Sequence, residues 1–485
     1  MIVAGLDIGT TSVKALALQT ESGAVVASAE HGYSFATPQA GWVEQDPELW
    51  WQATERALDS LRESAGAPAA IGLSGQMHGL VALDGDQRVL RPALLWNDQR
   101  AVQETAEIED RLGGLHGTLA ATGNRALTGV TAPKLLWMAR HEPALYERVQ
   151  SVLLPKDYVR LRLCGERATD VSDASGTLWF DVEHRAWSEQ VLAALEVDSG
   201  WLPRAEESSA VTGLAADGVP VAAGAGDQAA AAVGVGADRT GDVSVALGTS
   251  GVVFSALPAF AADPSARVQT GCHAVSGSWF AMGVMLSAAG SLSWVREATG
   301  GAEFDELLRE AERWPPGTDG LRFLPYLSGE RSPHSDPNAR GAFVGLTLRH
   351  DRGALVRAVL EGVAFGLRDS LDLVAALGEG VRAGRVNGGG ARSDLWLRIV
   401  ASVLELPLER VAVDEGAAYG AALLGGVAGG AWESVEQAVS ACVRVRETVE
   451  PVDTWIEPYA EARAHFQALY PALRDAVPSS GGRTQ

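Results

Sequence analysis

The chain has 485 residues, 47% apolar and 21% charged, ordinary globular proportions that exclude wholesale disorder and leave room for roughly two to four domains. Its 39 Lys plus Arg against 61 Asp plus Glu give a net charge of −22, which excludes a general affinity for nucleic acid or a membrane surface, but not a small anion held in a local pocket. Cys164, Cys272 and Cys442 are too far apart for a metal pair and too few for a disulfide framework, no run of about 18 uncharged apolar residues reads as a membrane span, and the N-terminus lacks a basic leader, so the reading is a soluble, reduced, cytoplasmic protein.

Along the chain, Ile2–Leu6, Val13–Leu18 and a run from Ala24 are apolar and joined by Gly-containing turns, which predicts an antiparallel meander. Asp46-Pro47-Glu48 opens a helix, with Leu49, Ala53, Ala57 and Leu61 on one face. Ala69–Leu73 and Leu80–Leu83 are strands interrupted by the loop Ser74–Gly79, and Ala93–Trp96 is a further strand. The polar link 236–242 marks a domain boundary, giving an N-terminal half 1–238 and a C-terminal half 239–477, with 478–485 a disordered tail. Beyond the link come a strand, the turn Gly248-Thr249-Ser250-Gly251 and a second strand. Leu355–Leu377 is a long helix, Val386 leads into Gly388-Gly389-Gly390-Ala391 with a helix capped by Ser393 or Asp394 behind, Leu408–Val413 is a strand and Ala417–Leu424 a small-residue helix. Residues beyond about 425 read as loop-like and too few for an extra domain.

The segments LDIGTTSVK (Leu6–Lys14) and VALGTSGVV (Val245–Val253) are an internal repeat. Glycine turns let a backbone approach phosphate closely, so Thr10, Thr11 and Ser12 can hold one end of a polyphosphate and Thr249 and Ser250 the other. Asp7, just before the first turn, can hold Mg²⁺. The triple glycine ahead of a helix can seat adenosine or its phosphates. Asp227, between a Gly-rich stretch and an Ala-rich helix, lies where a helix N-terminus favours the ionised form, ready to accept a hydroxyl proton. Read singly, each feature has a plain alternative: an ordinary hairpin, a strand-end or capping Asp, a glycine turn. No G-x-x-x-x-G-K-[ST] loop, H-x-x-x-H pair or G-x-S-x-G elbow occurs.

Taken together these segments resemble the FGGY carbohydrate kinases, within the actin, hexokinase and heat-shock chaperone superfamily. The two hairpins look like its phosphate motifs, VNGGGARSDLW (Val386–Trp396) like its adenosine motif, and GAGDQAAAAVG and EGAAYGAALL like its two connecting helices. Gly129–His141, with Thr131, Lys134 and Trp137, fits the first family signature, and Gly341–Leu346 with Ala358–Glu361 fits most of the second. GWVEQDPELWW, SGQMHG, LLWNDQR, LLPKDYVRLRL, DVSDASGTLWFDV and FLPYLSGERSPH look most like the branch that phosphorylates D-xylulose.

The resemblance implies an α/β fold of two ribonuclease-H-like, actin/hexokinase-type domains flanking a catalytic cleft. It implies ATP and D-xylulose as substrates, Mg²⁺ at Asp7 and Asp227, and a homodimer. It implies sugar contacts at Met77, His78 and Asp227, catalysis by Asp227 with Asp7, and nucleotide contacts at Thr10, Thr11, Ser12, Lys14, Gly248, Thr249, Ser250, Gly388, Gly389, Gly390 and Ala391. Three residues depart from the family pattern: Ala354, where a lost surface or capping contact is expected, Asn387 before the triple glycine, and Tyr419 in the second connecting helix. The alternatives are a kinase for L-ribulose, glycerol or gluconate, or an actin- or chaperone-like ATPase. Gluconate needs an Arg in its pocket, and the SGQMHG loop has none.

Overall fold

The computed structural model describes residues 1–378 and 380–475; the tail 478–485 lies outside the described residues. Strands β1 (Ile2–Ile8), β2 (Ser12–Gln19) and β3 (Ala24–Gly32) form the expected antiparallel meander. Helix α1 (Pro47–Ala65) is capped by Asp46, whose Oδ1 accepts the Glu48 N–H at 3.0 Å. Its buried face carries Trp50, Ala53, Ala57 and Leu61, whereas Leu49 is only half-buried. The Trp50 indole takes the core position and donates to Gln45 Oε1 at 2.6 Å.

Strand β4 (Ile71–Gly75) runs parallel to β1. After helix α2 (Pro155–Cys164), strands β5 (Val211–Leu214), β6 (Pro220–Ala222) and β7 (Ala225–Gly226) complete a seven-stranded sheet ordered β5–β6–β4–β1–β2–β3, with β7 also paired to β4. Helix α3 (Asp227–Val235) follows directly.

The later part of the chain repeats this plan. Strands β8 (Asp242–Leu247), β9 (Gly251–Leu257), β10 (Gln269–Cys272) and β11 (Trp279–Met285) are antiparallel neighbours, followed by helices α4 (Ala289–Ala298) and α5 (Arg352–Ala375). Strand β12 (Ala383–Asn387), helix α6 (Asp394–Leu404), strand β13 (Leu408–Val411), helices α7 (Gly416–Ala428) and α8 (Val435–Cys442), strand β14 (Val445–Val449) and helix α9 (Asp453–Arg474) follow. The second sheet is ordered β10–β11–β9–β8–β12–β13–β14, with β12 parallel to β8. In both sheets the first strand lies between its own antiparallel hairpin partner and a parallel strand, so the sequence repeat is a repeat of topology.

Two expectations are corrected. Residues beyond 425 are not loop-like: they form α8, β14 and the 22-residue α9. Ala354 is not at a surface. It is fully buried, and the cap is made by Asp351, whose Oδ1 accepts the Ala354 N–H at 3.0 Å.

Helices α3 and α7 lie against each other between the two sheets, and α7 packs on β1 and β4 of the first. The approach is backbone to backbone. A Cβ on Gly72 would stand 1.7 Å from the Ala421 carbonyl oxygen, and one on Gly420 1.8 Å from that of Ala230. Tyr419 is buried in this seam, its hydroxyl donating to the Gly23 carbonyl at 2.8 Å, with the Cys442 carbonyl at 3.3 Å. Among the described residues no helix is long and apolar enough to cross a membrane. Gly72→Val must push α7 off β4, so it should cost at least the ~3 kcal/mol upper end of ordinary overpacking. A urea midpoint equal to that of the unaltered protein would refute the contact.

Candidate active site

Parallel strands bring their carboxyl ends to one edge of a sheet, where ligands of open α/β sheets bind. In the first sheet Asp7 is in register with Ser74 of β4, and Ser74 with Ala225 of β7. Asp7, the loop after β4 and Asp227 therefore share an edge. Asp227 is the first residue of α3, with Gly226 at the cap, so it is not a plain N-cap.

The two carboxylates sense each other. Burial first, and then the Asp7 carboxylate, push Asp227 up to about 7. Burial pushes Asp7 up to about 6, against the Ser74 hydroxyl and the Lys14 ammonium. The expectation that the helix N-terminus favours the ionised form of Asp227 is thus corrected: desolvation and a like charge outweigh the helix end. Asp7 Oδ1 is a buried acceptor without a hydrogen-bond partner. Lys14, cross-strand from Asp7, pairs with Glu415 at the start of α7.

Met77 and His78 follow β4. The Met77 sulfur lies against Gly226, where an added Cβ would stand 2.8 Å from it, so Met77 adjoins the residue that precedes Asp227. His78 has a left-handed backbone, φ 69°, held at three points. Its carbonyl accepts from Thr131 Oγ1 at 3.2 Å and Lys134 Nζ at 2.8 Å, and its Nδ1 lies 2.7 Å from the Gly176 carbonyl. Burial pushes its pKa down to about 3, so the ring is neutral. A carbonyl only accepts, so Nδ1 carries the proton and Nε2 is an acceptor.

Both residues line a cleft of about 750 Å³ between the two halves, with Trp96 on the same side and Gln269, Glu330 and Arg331 opposite. Asp7 and Asp227 are not part of its lining. Sequence reasoning missed this far wall. Its only signal was the Glu-Arg pair inside FLPYLSGERSPH, quoted for resemblance alone. Glu330 is buried, its Oε1 accepting the Leu286 and Arg331 N–H groups at 3.0 and 2.7 Å, and burial pushes it up to about 8.

The remaining predicted residues form a second group. Gly388, at φ 86°, leaves no room for a side chain, since its Cβ would stand 2.9 Å from the Leu247 carbonyl oxygen. The loop Gly388–Ala391 is thereby packed on Leu247 and Gly248 at the start of the hairpin, with Gly390 and Ala391 buried and Gly389 exposed. The Gly248 carbonyl accepts from Ala289, and that of Thr249 from Ala288, each at 2.8 Å, which ties the hairpin to the N-terminus of α4. Thr249 and Ser250 are exposed, with hydroxyls uncommitted among the described residues. Asn387 donates to Ser244 Oγ at 3.1 Å and so braces the strand ahead of the glycines.

In the first hairpin, Thr10 Oγ1 accepts from the Trp96 indole at 3.0 Å and donates to Gln76 Oε1 at 3.3 Å, while Ser12 Oγ donates to Glu30 at 2.7 Å. Thr11 is exposed. This hairpin offers an anion its backbone N–H groups and Thr11 more readily than the hydroxyls of Thr10 and Ser12. Among the described residues no hydrogen bond or ion pair joins the two groups.

Comparison with known proteins decides the family. The N-terminal domain of the FGGY family of carbohydrate kinases matches residues 2–234, and its C-terminal domain matches residues 243–429. The chain belongs to the FGGY family of carbohydrate kinases. This FGGY kinase is 42% identical over 481 residues to a xylulose kinase of Escherichia coli strain K12, covering 97% of this chain and 98% of that one. A solved structure described as a xyloylose kinase from Brucella ovis superposes with a TM-score of 0.91 at 42% identity, covering 98% and 100% of the two chains. A gluconate kinase structure from Lactobacillus acidophilus gives 0.93 at 26% identity, covering 98% and 99%. The FGGY assignment carries ATP as phosphoryl donor and a sugar-kinase fold of two α/β halves.

The raised carboxyls have a consequence for stability. A folded-state pKa above the ordinary 3.8 means that the folded protein binds the extra proton, so stability falls as pH rises from about 4 through 6 and 7. Without divalent cation, Asp227→Asn should therefore raise the unfolding free energy at pH 8 by an amount on the order of 1–3 kcal/mol, read as a higher thermal midpoint. That gain should vanish near pH 4. A gain of equal size at both pH values would contradict the electrostatic account.

Proposed function

We propose that this protein is an ATP-dependent xylulose kinase, transferring the γ-phosphoryl group of ATP to O5 of D-xylulose with Asp227 as general base. The observation that carries the reading is the meeting of Asp227, Met77 and His78 at one edge. A carboxyl pushed up to about 7 is next in sequence to Gly226, which touches Met77, at a cleft lined by Met77 and His78. A base near neutrality is half-ionised at working pH, yet basic enough to draw a proton from a hydroxyl. The full-length likeness to xylulose kinases supports D-xylulose as the acceptor.

The 5-hydroxyl gives its proton to Asp227 as its oxygen attacks the γ-phosphorus. His78 Nε2 accepts a hydroxyl of the sugar, and Met77 supplies an apolar wall. The two hairpins hold the phosphate chain in line, with the glycine loop behind the second taking the adenosine end. Phosphoryl transfer of this kind depends mainly on positioning and electrostatics. Mg²⁺ fits at Asp7 and Asp227: Asp7 Oδ1 is a buried orphan acceptor, and each carboxyl is destabilised as an anion where it lies. Two carboxylates with phosphate oxygens and water are a usual Mg²⁺ environment, which suits a site where, among the described residues, no group of three or more such side chains could hold a metal. When bound, the ion offsets phosphate charge. Residues 1–238 and 239–477 are the two bodies that close on the substrates, with α3 and α7 as the joint between them.

One observation favours a second acceptor class. Arg331 lines the cleft, and its side chain makes no hydrogen bond or ion pair among the described residues. A carboxylate such as that of gluconate would complement it, although the SGQMHG loop itself offers no cation. ADP release measured with D-xylulose, L-ribulose, glycerol, gluconate and no acceptor separates the readings. D-Xylulose should be preferred, and preference for gluconate would transfer the proposal to sugar acids. Asp227→Ala should lose about 10²–10⁴-fold in turnover while retaining ATP binding. In the unaltered enzyme, kcat/KM for the sugar should fall on the acid side as Asp227 gains a proton, with a midpoint below the metal-free value of about 7 once Mg²⁺ is bound. A flat profile down to pH 5 would remove Asp227 from the role of base.

A further inference from the structure

Two segments whose charged residues the reaction leaves unused meet behind Gly226, the residue before the base. Lys156 and Asp157 open α2, and residues 170–177 run past its side. Lys156, Asp157, Arg160, Asp170, Ser172 and Asp173 are all completely buried. Lys156 Nζ stands 2.7 Å from Asp157 Oδ1, 2.7 Å from Asp170 Oδ2 and 3.0 Å from Asp173 Oδ2. Arg160 binds the carbonyl of Ala222 at 2.7 Å and also that of Ala223, clamping the strand that leads towards Asp227. Three carboxylates against two cations leave one charge over. Burial, only partly offset by Lys156, pushes Asp173 well above the usual carboxylate range.

Buried ion clusters add little net stability, because desolvation consumes most of their attraction. This one has a directional output. Asp170 Oδ1 accepts the Ser172 N–H at 2.8 Å and the Ser172 hydroxyl at 2.5 Å. With its proton committed to Asp170, Ser172 Oγ turns a lone pair to the Gly226 N–H, which donates to it at 3.1 Å. Gly226 is the cap of the helix whose first residue is Asp227. Its other side is closed by the Met77 sulfur.

The same short segment reaches the rest of the site. The Gly176 carbonyl receives His78 Nδ1–H at 2.7 Å, and Ser175 Oγ accepts the Cys272 N–H of the opposite half at 2.9 Å.

We infer that Ser172, oriented by the Lys156–Asp170 ion pair, is a positioning residue that fixes the start of α3 and so aims the Asp227 carboxylate at the acceptor hydroxyl. The inference rests on Asp227 being the base. It goes beyond that reading by assigning a role to buried charges, those of Lys156, Asp157, Asp170 and Asp173, that do not line the cleft.

A displacement of about 1 Å at a reacting group costs on the order of 10²-fold in rate. Ser172→Ala should therefore lower kcat about 10–100-fold while KM for ATP stays unchanged, and Ser172→Thr, which keeps the hydroxyl, should recover most of the loss. The deciding measurement is a double-mutant cycle with Asp227→Asn. If Ser172 acts through Asp227, its removal costs little once the carboxylate is gone. Equal losses in both backgrounds, or a kcat for Ser172→Ala equal to that of the unaltered enzyme, would overturn the inference. Full turnover of Asp227→Asn alone would instead bring down the base assignment, so the two failures are distinguishable. Amide hydrogen exchange on the unaltered protein gives an independent check: the Gly226 N–H should be as protected as the strand β4 that its own strand pairs with. Rapid exchange there would also overturn the inference.

Discussion

The structure depends on a steric constraint: helix α7 must touch strand β4 and helix α3 with nothing but backbone between them. Gly72 faces the Ala421 carbonyl and Gly420 faces that of Ala230 at distances that leave no place for a β-carbon. This close seat brings the helix that starts at Asp227 over the carboxyl ends of β1 and β4, and it joins two sheets that otherwise have separate hydrogen-bond ladders. The buried apolar side chains around it come from both halves, including Leu16 and Val233 from the first and Phe254 and Leu423 from the second. The placement of Asp227 and the connection between the halves thus rest on the same small residues.

On that frame the site is electrostatically expensive. Asp7 and Asp227 are desolvated, share a sign and leave one buried oxygen unpartnered. Such an arrangement persists because the packing around it over-determines the backbone, and a bound cation would relieve it. The fold supplies rigidity through neutral contacts and spends it on keeping two acids where neither is comfortable.

Much of this was legible in the sequence because it is local. The Gly-Thr turns, the Asp46-Pro47 cap and the Ser393 cap each declare themselves within a few residues, and the repeat of LDIGTTSVK in VALGTSGVV announced two halves of like topology. What was not legible is what depends on distant partners. The direction of the Asp227 pKa was misjudged because a helix end is visible in the sequence and desolvation is not. At Ala354 a lost surface or capping contact was expected because its burial comes from a helix packing that no local pattern encodes. Strands β10 and β11 and the C-terminal α9 were overlooked, and with them the far wall of the cleft. Composition alone could not show that Lys156, Asp170 and Asp173 meet in the interior, since charged residues usually face water.

The tautomer of His78 limits chemistry at the cleft. With Nδ1–H given to the Gly176 carbonyl, Nε2 has only a lone pair to offer. A ketone oxygen and an ionised carboxylate both bring lone pairs of their own and are repelled there; only a group that carries a proton is welcome. On the reading proposed above, the acceptor therefore enters with a hydroxyl towards His78 and its unprotonated oxygens turned elsewhere, which makes the ring a test of molecular orientation before it is a test of identity.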